Sequence, residues 1–333
     1  MSTPTAIALF SGGLDSLLAC RLVASQGIKV RAVKFISPFF GYDLLADPDY
    51  CRQVRDKYKI DLMLRDISDD YLRMLKSPAH GYGKHFNPCL DCKIFMMTRA
   101  REMMAELGAS FLISGEVVGQ RPMSQRRDAM RVVERDSGCD GILLRPLCAQ
   151  RLKETKTELD GLVDRSKLAG LSGRSRAGQM EMAARFGIDD YPTPAGGCIL
   201  TDPIVGERIK RFYQERERAT VADMRLLMVG RQFRLPDGSW LVMGRRQTEN
   251  PLIDALAQPD DINLRLKDRP GPSALLRYMR SRRDLEIAAG LVARYGKKGD
   301  DGRPLPGLVL CAGPGGLEEI NGVPGDGGDL GLL

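Results

Sequence analysis

Ala6-Ile7-Ala8-Leu9-Phe10-Ser11-Gly12-Gly13-Leu14-Asp15-Ser16, running on into Leu17-Leu18-Ala19-Cys20-Arg21-Leu22-Val23, is the stretch whose reading decides the fold. A short apolar run, a tight glycine turn and a second apolar-rich segment spell strand, turn and helix start. The turn suits an anion. Two glycines let the backbone come close to it, the Ser11 and Ser16 hydroxyls can donate to it, and the helix N–H groups and positive dipole end face the same point. No lysine follows, which excludes the G-x-x-x-x-G-K-[ST] nucleotide loop. A glycine pair between strand and helix is weak evidence alone.

Outward from that turn, strand patterns recur at Val30 to Phe35, Asp61 to Leu64 and Phe111 to Ser114. Helical patterns lie at Ser16 to Gln26, Pro48 to Lys57, Lys93 to Leu107 and Ser175 to Phe186. Their alternation predicts an α/β fold, a doubly wound parallel sheet with helices on both faces. Ligands of such sheets bind beyond the carboxyl ends of the strands, where Ser11 to Ser16, Ile36 to Phe39 and Gly115 to Gln120 would all emerge.

After Asp202-Pro203 the pattern changes: a basic helix over Val205 to Glu217, then Pro236-Asp237-Gly238 between apolar runs, which reads as a hairpin. From Gly299 the chain is rich in Gly, Pro and Asp, with one strand candidate at Leu308 to Cys311, and its last dozen residues are expected to be mobile. The expected domains are 1–203, a smaller α+β domain at 204–298, and a tail at 299–333. There is no internal repeat.

The chain has 333 residues, 43% hydrophobic and 28% charged, as in soluble globular proteins. No apolar stretch reaches the length of a membrane span and the first residues do not form a signal peptide, so a cytoplasmic location without membrane contact is expected. Fifty Lys plus Arg against 43 Asp plus Glu give a net charge of +7, which suits a polyanionic partner. The arginines cluster at Arg121, Arg126, Arg127 and Arg131, at Arg208, Lys210, Arg211, Arg216 and Arg218, and at Arg277, Arg280, Arg282 and Arg283, suggesting a broad basic surface.

Eight cysteines show no framework spacing, which argues against disulfides. Three stand apart. Cys89 and Cys92, in Asn87-Pro88-Cys89-Leu90-Asp91-Cys92-Lys93, open a helix with Pro88 in its first turn, placing both sulfurs on one side where the dipole favours thiolate. Cys198 follows a glycine pair in Pro194-Ala195-Gly196-Gly197-Cys198. Their spacing leaves open an iron–sulfur cluster, zinc completed by His85, a persulfide pathway and plain core packing. The other five cysteines read as buried apolar side chains.

The Ser-Gly-Gly-x-Asp-Ser string at the first strand resembles the PP-loop of the N-type ATP pyrophosphatases, with their adenine nucleotide α-hydrolase-like fold. Phe111-Leu112-Ile113-Ser114-Gly115-Glu116-Val117-Val118-Gly119-Gln120, Ser124-Gln125 and Leu143-Leu144-Arg145-Pro146-Leu147 follow in the order seen in ThiI-type tRNA 4-thiouridine synthases. The Asn-Pro-Cys-x-x-Cys and Ala-Gly-Gly-Cys pair is similar to the wider tRNA thiolation group with MnmA-type and TtuA-type enzymes. The resemblance covers about Ala6 to Pro203. ThiI enzymes usually carry an N-terminal THUMP domain, which this chain lacks ahead of its PP-loop, so RNA contacts are expected elsewhere. Val242-Met243-Gly244-Arg245-Arg246-Gln247-Thr248-Glu249-Asn250, with Gly271-Pro272-Ser273, is similar to the NFACT-R RNA-binding module.

These resemblances imply an ATP-dependent tRNA sulfurtransferase that adenylates a uridine carbonyl oxygen and replaces it with sulfur. Ser11, Gly12, Gly13, Leu14, Asp15, Ser16, Phe35, Gly115 and Gln120 would bind ATP. Asp15 would orient the loop or hold Mg2+, with a helix-cap role as its plain alternative. Cys89, Cys92 and Cys198 would be catalytic and hold a [4Fe-4S] cluster, which the resemblance favours over zinc. Arg126, Arg127, Arg211, Arg245, Arg246 and Arg280 would contact tRNA. Glu116, Gln120 and Ser124 would lie beside the nucleotide, and Arg145, Lys153 and Arg174 are candidate phosphate contacts. The sulfur donor would be sulfide or a cysteine desulfurase with a carrier, and a homodimer is open. Two other classes remain: a PP-loop ligase or amidase activating a small acid, and a nucleotide-regulated RNA binder.

Overall fold

The computed structural model describes residues 3–121, 123–191, 197–325 and 331–332. The chain divides into two compact units, Met1–Asp202 and Pro203–Leu333. Pro194, Ala195 and Gly196 of the motif before Cys198 lie outside the described residues, as do most of the last eight.

The first unit alternates strands and helices: β1 Thr5–Leu9, α1 Leu14–Ala24, β2 Lys29–Ile36, α2 Tyr50–Tyr58, β3 Asp61–Asp66, α3 Ser68–Lys76, α4 Cys89–Glu102, α5 Met104–Leu107, β4 Phe111–Ser114, α6 Arg127–Asp136, β5 Leu143–Leu144, α7 Lys156–Leu159 and α8 Ala177–Arg185. Its sheet runs β3-β2-β1-β4-β5, parallel throughout. Ala6, Ile7 and Ala8 of β1 and Phe111, Leu112 and Ile113 of β4 are buried, as the middle of a sheet covered on both faces requires. From β1 the chain builds outward through β2 to β3, then returns to place β4 on the other side of β1. The switch in direction falls between β1 and β4, the place in such sheets where ligands bind beyond the strand ends.

The expected strands and helices of this unit are present, and α3 and α6 join them. The helix predicted at Lys93 to Leu107 starts earlier, at Cys89, with Pro88 as its N-cap rather than inside its first turn, and it breaks at Met103.

The second unit contains α9 Pro203–Glu215, α10 Val221–Leu227, β6 Arg231–Arg234, β7 Trp240–Met243, α11 Asn250–Asp254, β8 Ile262–Leu266, β9 Ala274–Arg277, α12 Arg282–Arg294, β10 Gly307–Gly313, β11 Gly316–Gly322 and β12 Gly331–Leu332. Its antiparallel sheet runs β11-β10-β8-β9-β7-β6-β12, with α12 packed across β8, β10 and β11. The hairpin at Pro236-Asp237-Gly238 is present, Gly238 standing at φ +98° and the Asp237 and Ser239 amides donating to Asp284. The 299–333 stretch is not a separate tail. Leu308-Val309-Leu310-Cys311 extends to a full strand because Val309 and Cys311 face the core under α12, and β11 pairs with it residue for residue.

Candidate active site

The glycine turn sits where β1 meets α1. Gly13 is the N-cap and no side chain caps the helix; the Ser16 and Leu17 amides donate to the Gly13 carbonyl, which leaves the Leu14 and Asp15 N–H groups without an intrahelical acceptor. The hydroxyls are folded onto the turn: Ser11 Oγ accepts from Gly13 N and donates to Ser16 Oγ, both at 3.2 Å, and Ser16 Oγ donates to the Gly13 carbonyl at 2.7 Å. Gly12 stands at φ +89°, a conformation that favours glycine. Lys34 of β2 donates to the Ser11 carbonyl at 2.6 Å, and it was not foreseen as a site residue. A lysine between Val33 and Phe35, near the carboxyl end of an interior strand, was the available signal. Phe35, expected at the nucleotide, is a buried strand residue beside it.

Gly115 follows β4 across the switch point, and a Cβ there would lie 2.6 Å from the Asp15 carbonyl oxygen. Gln120 Nε2 donates to Asp15 Oδ2 at 2.8 Å, Gln179 Nε2 donates to Gln120 Oε1 at 3.2 Å, and Arg176 reaches the same Asp15 oxygen at 3.3 Å. Asp15 is therefore not a helix cap. Its Oδ1 is buried with no hydrogen-bond partner, and a spare carboxylate oxygen beside the glycine turn fits a hard cation such as Mg2+. Arg176 and Gln179 escaped the sequence reading, because both lie in the helical pattern of Ser175 to Phe186, where a single polar residue reads as part of a solvated face.

Behind this rim lies a buried ion cluster. Arg145, fully buried, pairs with Glu116 at 3.0 Å and with Glu134, and Lys93 of α4 reaches Glu116 at 3.3 Å. Burial alone would raise the Glu116 carboxyl, but Lys93 and Arg145 more than offset it and hold it at about 2. Arg145 is thus a counter-ion for two carboxylates and not a phosphate contact. Lys153 and Arg174 are exposed, and Ser124 is buried within the loop after β4.

Cys89 and Cys92 start α4, and Cys198 comes from a distant segment of the same unit. Cys92 interacts electrostatically with both Cys89 and Cys198, so the three thiols converge. Tyr71 of α3, packed among Phe39, Phe40 and Phe95, donates its hydroxyl to Cys92 Sγ at 3.4 Å. The expectation of an easily formed thiolate fails at Cys92, because burial outweighs the Tyr71 hydrogen bond and the nearby Lys93 charge and pushes the thiol to about 11. Among the described residues no group of three or more His, Cys, Asp or Glu is arranged to hold a metal ion. Three soft thiols drawn together are the donor chemistry that an iron–sulfur cluster takes. His85, the suggested zinc partner, is exposed in a left-handed conformation. The other histidine, His80, bridges Asp91 and Asp136. Of the remaining cysteines, Cys20, Cys139, Cys148 and Cys311 are buried as expected, and Cys51 is half-buried.

The arginine clusters divide. Arg208 is spent on the Leu227 and Gly230 carbonyls, and Arg277 on Asp223 and Asp261 inside the second core, so neither belongs to a basic surface. Arg126, Arg127, Arg211, Arg245, Arg246 and Arg280 are exposed. Arg126 pairs with Asp128 and Arg211 with Glu207, exposed pairs worth little and open to exchange, whereas Arg245 pairs with the half-buried Glu249. The Gly244-Arg245-Arg246…Glu249-Asn250…Ser273 motif is one strut. Glu249 accepts from the Arg245 and Arg246 amides, Asn250 Oδ1 from the Ser273 amide, and a side chain at Gly244 would collide with Asn250. Arg245 and Arg246 leave β7 beside the start of β9 and Arg280 follows its end, so they occupy opposite ends of that ladder.

Residues 1–157 match the family of the thiamine biosynthesis protein ThiI, and residues 230–303 match the NFACT protein RNA binding domain. The chain joins a ThiI-type PP-loop domain to an NFACT-R domain. Among solved structures, a 4-thiouridine synthetase in complex with RNA and ATP is 20% identical, with a TM-score of 0.36 over 56% of this chain, which spans about half (52%) of that one. The U34-tRNA thiolase NcsA from Methanococcus maripaludis, with its [4Fe-4S] cluster, is 17% identical, with a TM-score of 0.34 over 64% of this chain and 67% of its own. The C-terminal part of the fibronectin/fibrinogen-binding protein from Streptococcus suis is 12% identical, with a TM-score of 0.26 over 71% of this chain and 87% of its own. These superpositions are partial, and the domain assignment rests on the two family matches. No curated protein matches the chain. Among the described residues of this ThiI-type and NFACT-R chain, no helix is long and apolar enough to cross a membrane.

Proposed function

We propose that this chain is an ATP-dependent tRNA sulfurtransferase that makes a thiouridine. One run of contacts supports the reading. Gly115 abuts Asp15 of the glycine turn, its neighbour Glu116 pairs with Lys93, and Lys93 follows Cys92, so the turn and the cysteine helix share one rim. A uridine carbonyl oxygen attacks the α phosphorus of ATP, the bond to pyrophosphate breaks, and the oxygen becomes part of an adenylate. Sulfide then adds to the same ring carbon and AMP departs with the original oxygen. Ser11, Gly12, Gly13, Leu14 and Ser16 bind the phosphates, Gly115 permits the close approach of the β4 loop, and Asp15 steadies the loop and offers an oxygen to Mg2+. Cys89, Cys92 and Cys198 present the sulfur. Free sulfide is used directly. A persulfide sulfur that a desulfurase and carrier place on one of these cysteines is released as sulfide when a second thiol attacks that cysteine's own sulfur and the two close a disulfide, which an external thiol reduces before the next turnover. A [4Fe-4S] cluster on these three thiols would add a soft metal site for sulfide. The exposed arginines of each unit bind the tRNA backbone.

The test is anaerobic incubation of the purified chain with Mg-ATP, sulfide and unmodified tRNA transcript. Thionucleoside and AMP should accumulate together, and Cys198→Ala should abolish the first while nucleotide binding persists. AMP formed only with a small carboxylic acid present would favour a ligase or amidase. RNA binding that yields no AMP would favour a regulatory nucleotide site. Full sulfur transfer by colourless, iron-free protein would remove the cluster.

A further inference from the structure

We propose that Lys34 is the cation that grips the pyrophosphate of ATP at the glycine turn, the part a loop lysine plays in the G-x-x-x-x-G-K-[ST] site. The inference rests on the turn being a nucleotide site and adds to it a residue from a different strand. β2 runs parallel to β1 with Leu9 opposite Val33, and the Phe10 amide donates to the Val33 carbonyl. That register brings Lys34 level with the first residues of the turn. Its ammonium meets the Ser11 carbonyl at 2.6 Å and stands 3.5 Å from the point a Gly12 Cβ would occupy. The Tyr50 hydroxyl of α2 lies at the same 3.5 Å from that point. Two side-chain donors thus face the space left open over a glycine.

The charge of Lys34 is not otherwise used. No carboxylate among the described residues pairs with it, and one neutral carbonyl is its hydrogen-bond acceptor. A half-buried ammonium without a counter-ion is costly, and burial lowers its pKa below the ordinary lysine value. Negative charge grows on the departing pyrophosphate as its bond to the α phosphorus breaks. A cation already fixed at the turn stabilises that charge without having to be reorganised. Lysine serves here as a point charge, and the uncapped start of α1 supplies directional N–H donors.

Calorimetry on the full chain in Mg2+, with ATP, inorganic pyrophosphate and AMP as probes, tests the assignment against Lys34→Met, Lys34→Gln and Lys34→Arg. Both uncharged variants should bind ATP and pyrophosphate at least about tenfold more weakly, with AMP affinity little changed, and Lys34→Arg should restore most of the loss. Lys34→Gln keeps a donor for the Ser11 carbonyl and serves as the folded control if Lys34→Met is unstable. Wild-type binding of pyrophosphate by Lys34→Gln or Lys34→Met would overturn the proposal and leave the nucleotide site standing. Failure of the wild-type chain to bind ATP would remove the nucleotide site and the proposal with it.

Discussion

Gln120 Nε2 donates to Asp15 Oδ2 at 2.8 Å, joining the turn after β1 to the loop after β4 across the switch point of the sheet. The same Asp15 oxygen receives Arg176, and Gln179 fixes the far end of the Gln120 amide. Asp15 is thereby aimed before any ligand arrives.

Gln120→Leu removes both amide hydrogen bonds at similar volume. Hydrogen bonds to charged groups are worth about 1.5–3 kcal/mol, so ATP-dependent AMP release should fall by roughly tenfold or more. Steady-state kinetics should place the loss mainly in kcat, since the glycine turn itself is intact. An unchanged kcat would mean that Asp15 needs no orientation from this loop.

Gly115→Ala should be more damaging than its size suggests. The added methyl would sit 2.6 Å from a backbone oxygen and 2.7 Å from the Ser16 amide nitrogen, where no flexible side chain can yield. Overpacking of this kind costs about 1–3 kcal/mol and would spread β4 from α1. Thermal unfolding and ATP titration should both register it.

The Glu116 cluster makes an acid-stability prediction. Its carboxyl is held at about 2 against an ordinary 4.5, so its pairing with Lys93 and Arg145 stabilises the fold above pH 4.5 and is lost as pH falls towards 2. Between those values the melting temperature of the wild type should drop more steeply than that of Glu116→Gln. At neutral pH, Arg145→Met should cost about 3–5 kcal/mol, because it leaves Glu116 and Glu134 without their buried counter-ion.

For the NFACT-R unit, Arg245→Gln with Arg246→Gln should weaken tRNA binding and lower the salt slope by about one for each phosphate no longer neutralised. Arg277→Gln, by contrast, should unfold the second core, because it strips Asp223 and Asp261 of their partner. Equal tRNA affinity and salt slope in the Arg245/Arg246 variant would place the RNA surface elsewhere on the unit.

The parallel sheet, the glycine turn, the hairpin and the three distinguished cysteines were all legible in local pattern. Apolar runs with period two or 3.6 and glycine-bearing turns are written over neighbouring residues. α6 was missed because its charged sequence, Arg127-Asp128-Ala129-Met130-Arg131-Val132-Val133-Glu134, reads as a basic patch, although Met130 and Val133 are buried. β11 was missed because Glu318 and Glu319 within a Gly-rich stretch look like loop, whereas only alternate residues of an edge strand need to be apolar.

Sequence alone determined the succession of a strand, a tight glycine turn and a helix at Ala6 to Val23, because steric and hydrogen-bonding preferences of adjacent residues suffice for that. Only the tertiary structure decided which charges act at the turn. Lys34 reaches it through strand register and Arg176 through the packing of α8 on α1, while Arg145 is withdrawn into the core by two carboxylates. A cation's role depends on which oppositely charged or neutral groups surround it in space, and the fold, not the order of residues, selects those neighbours.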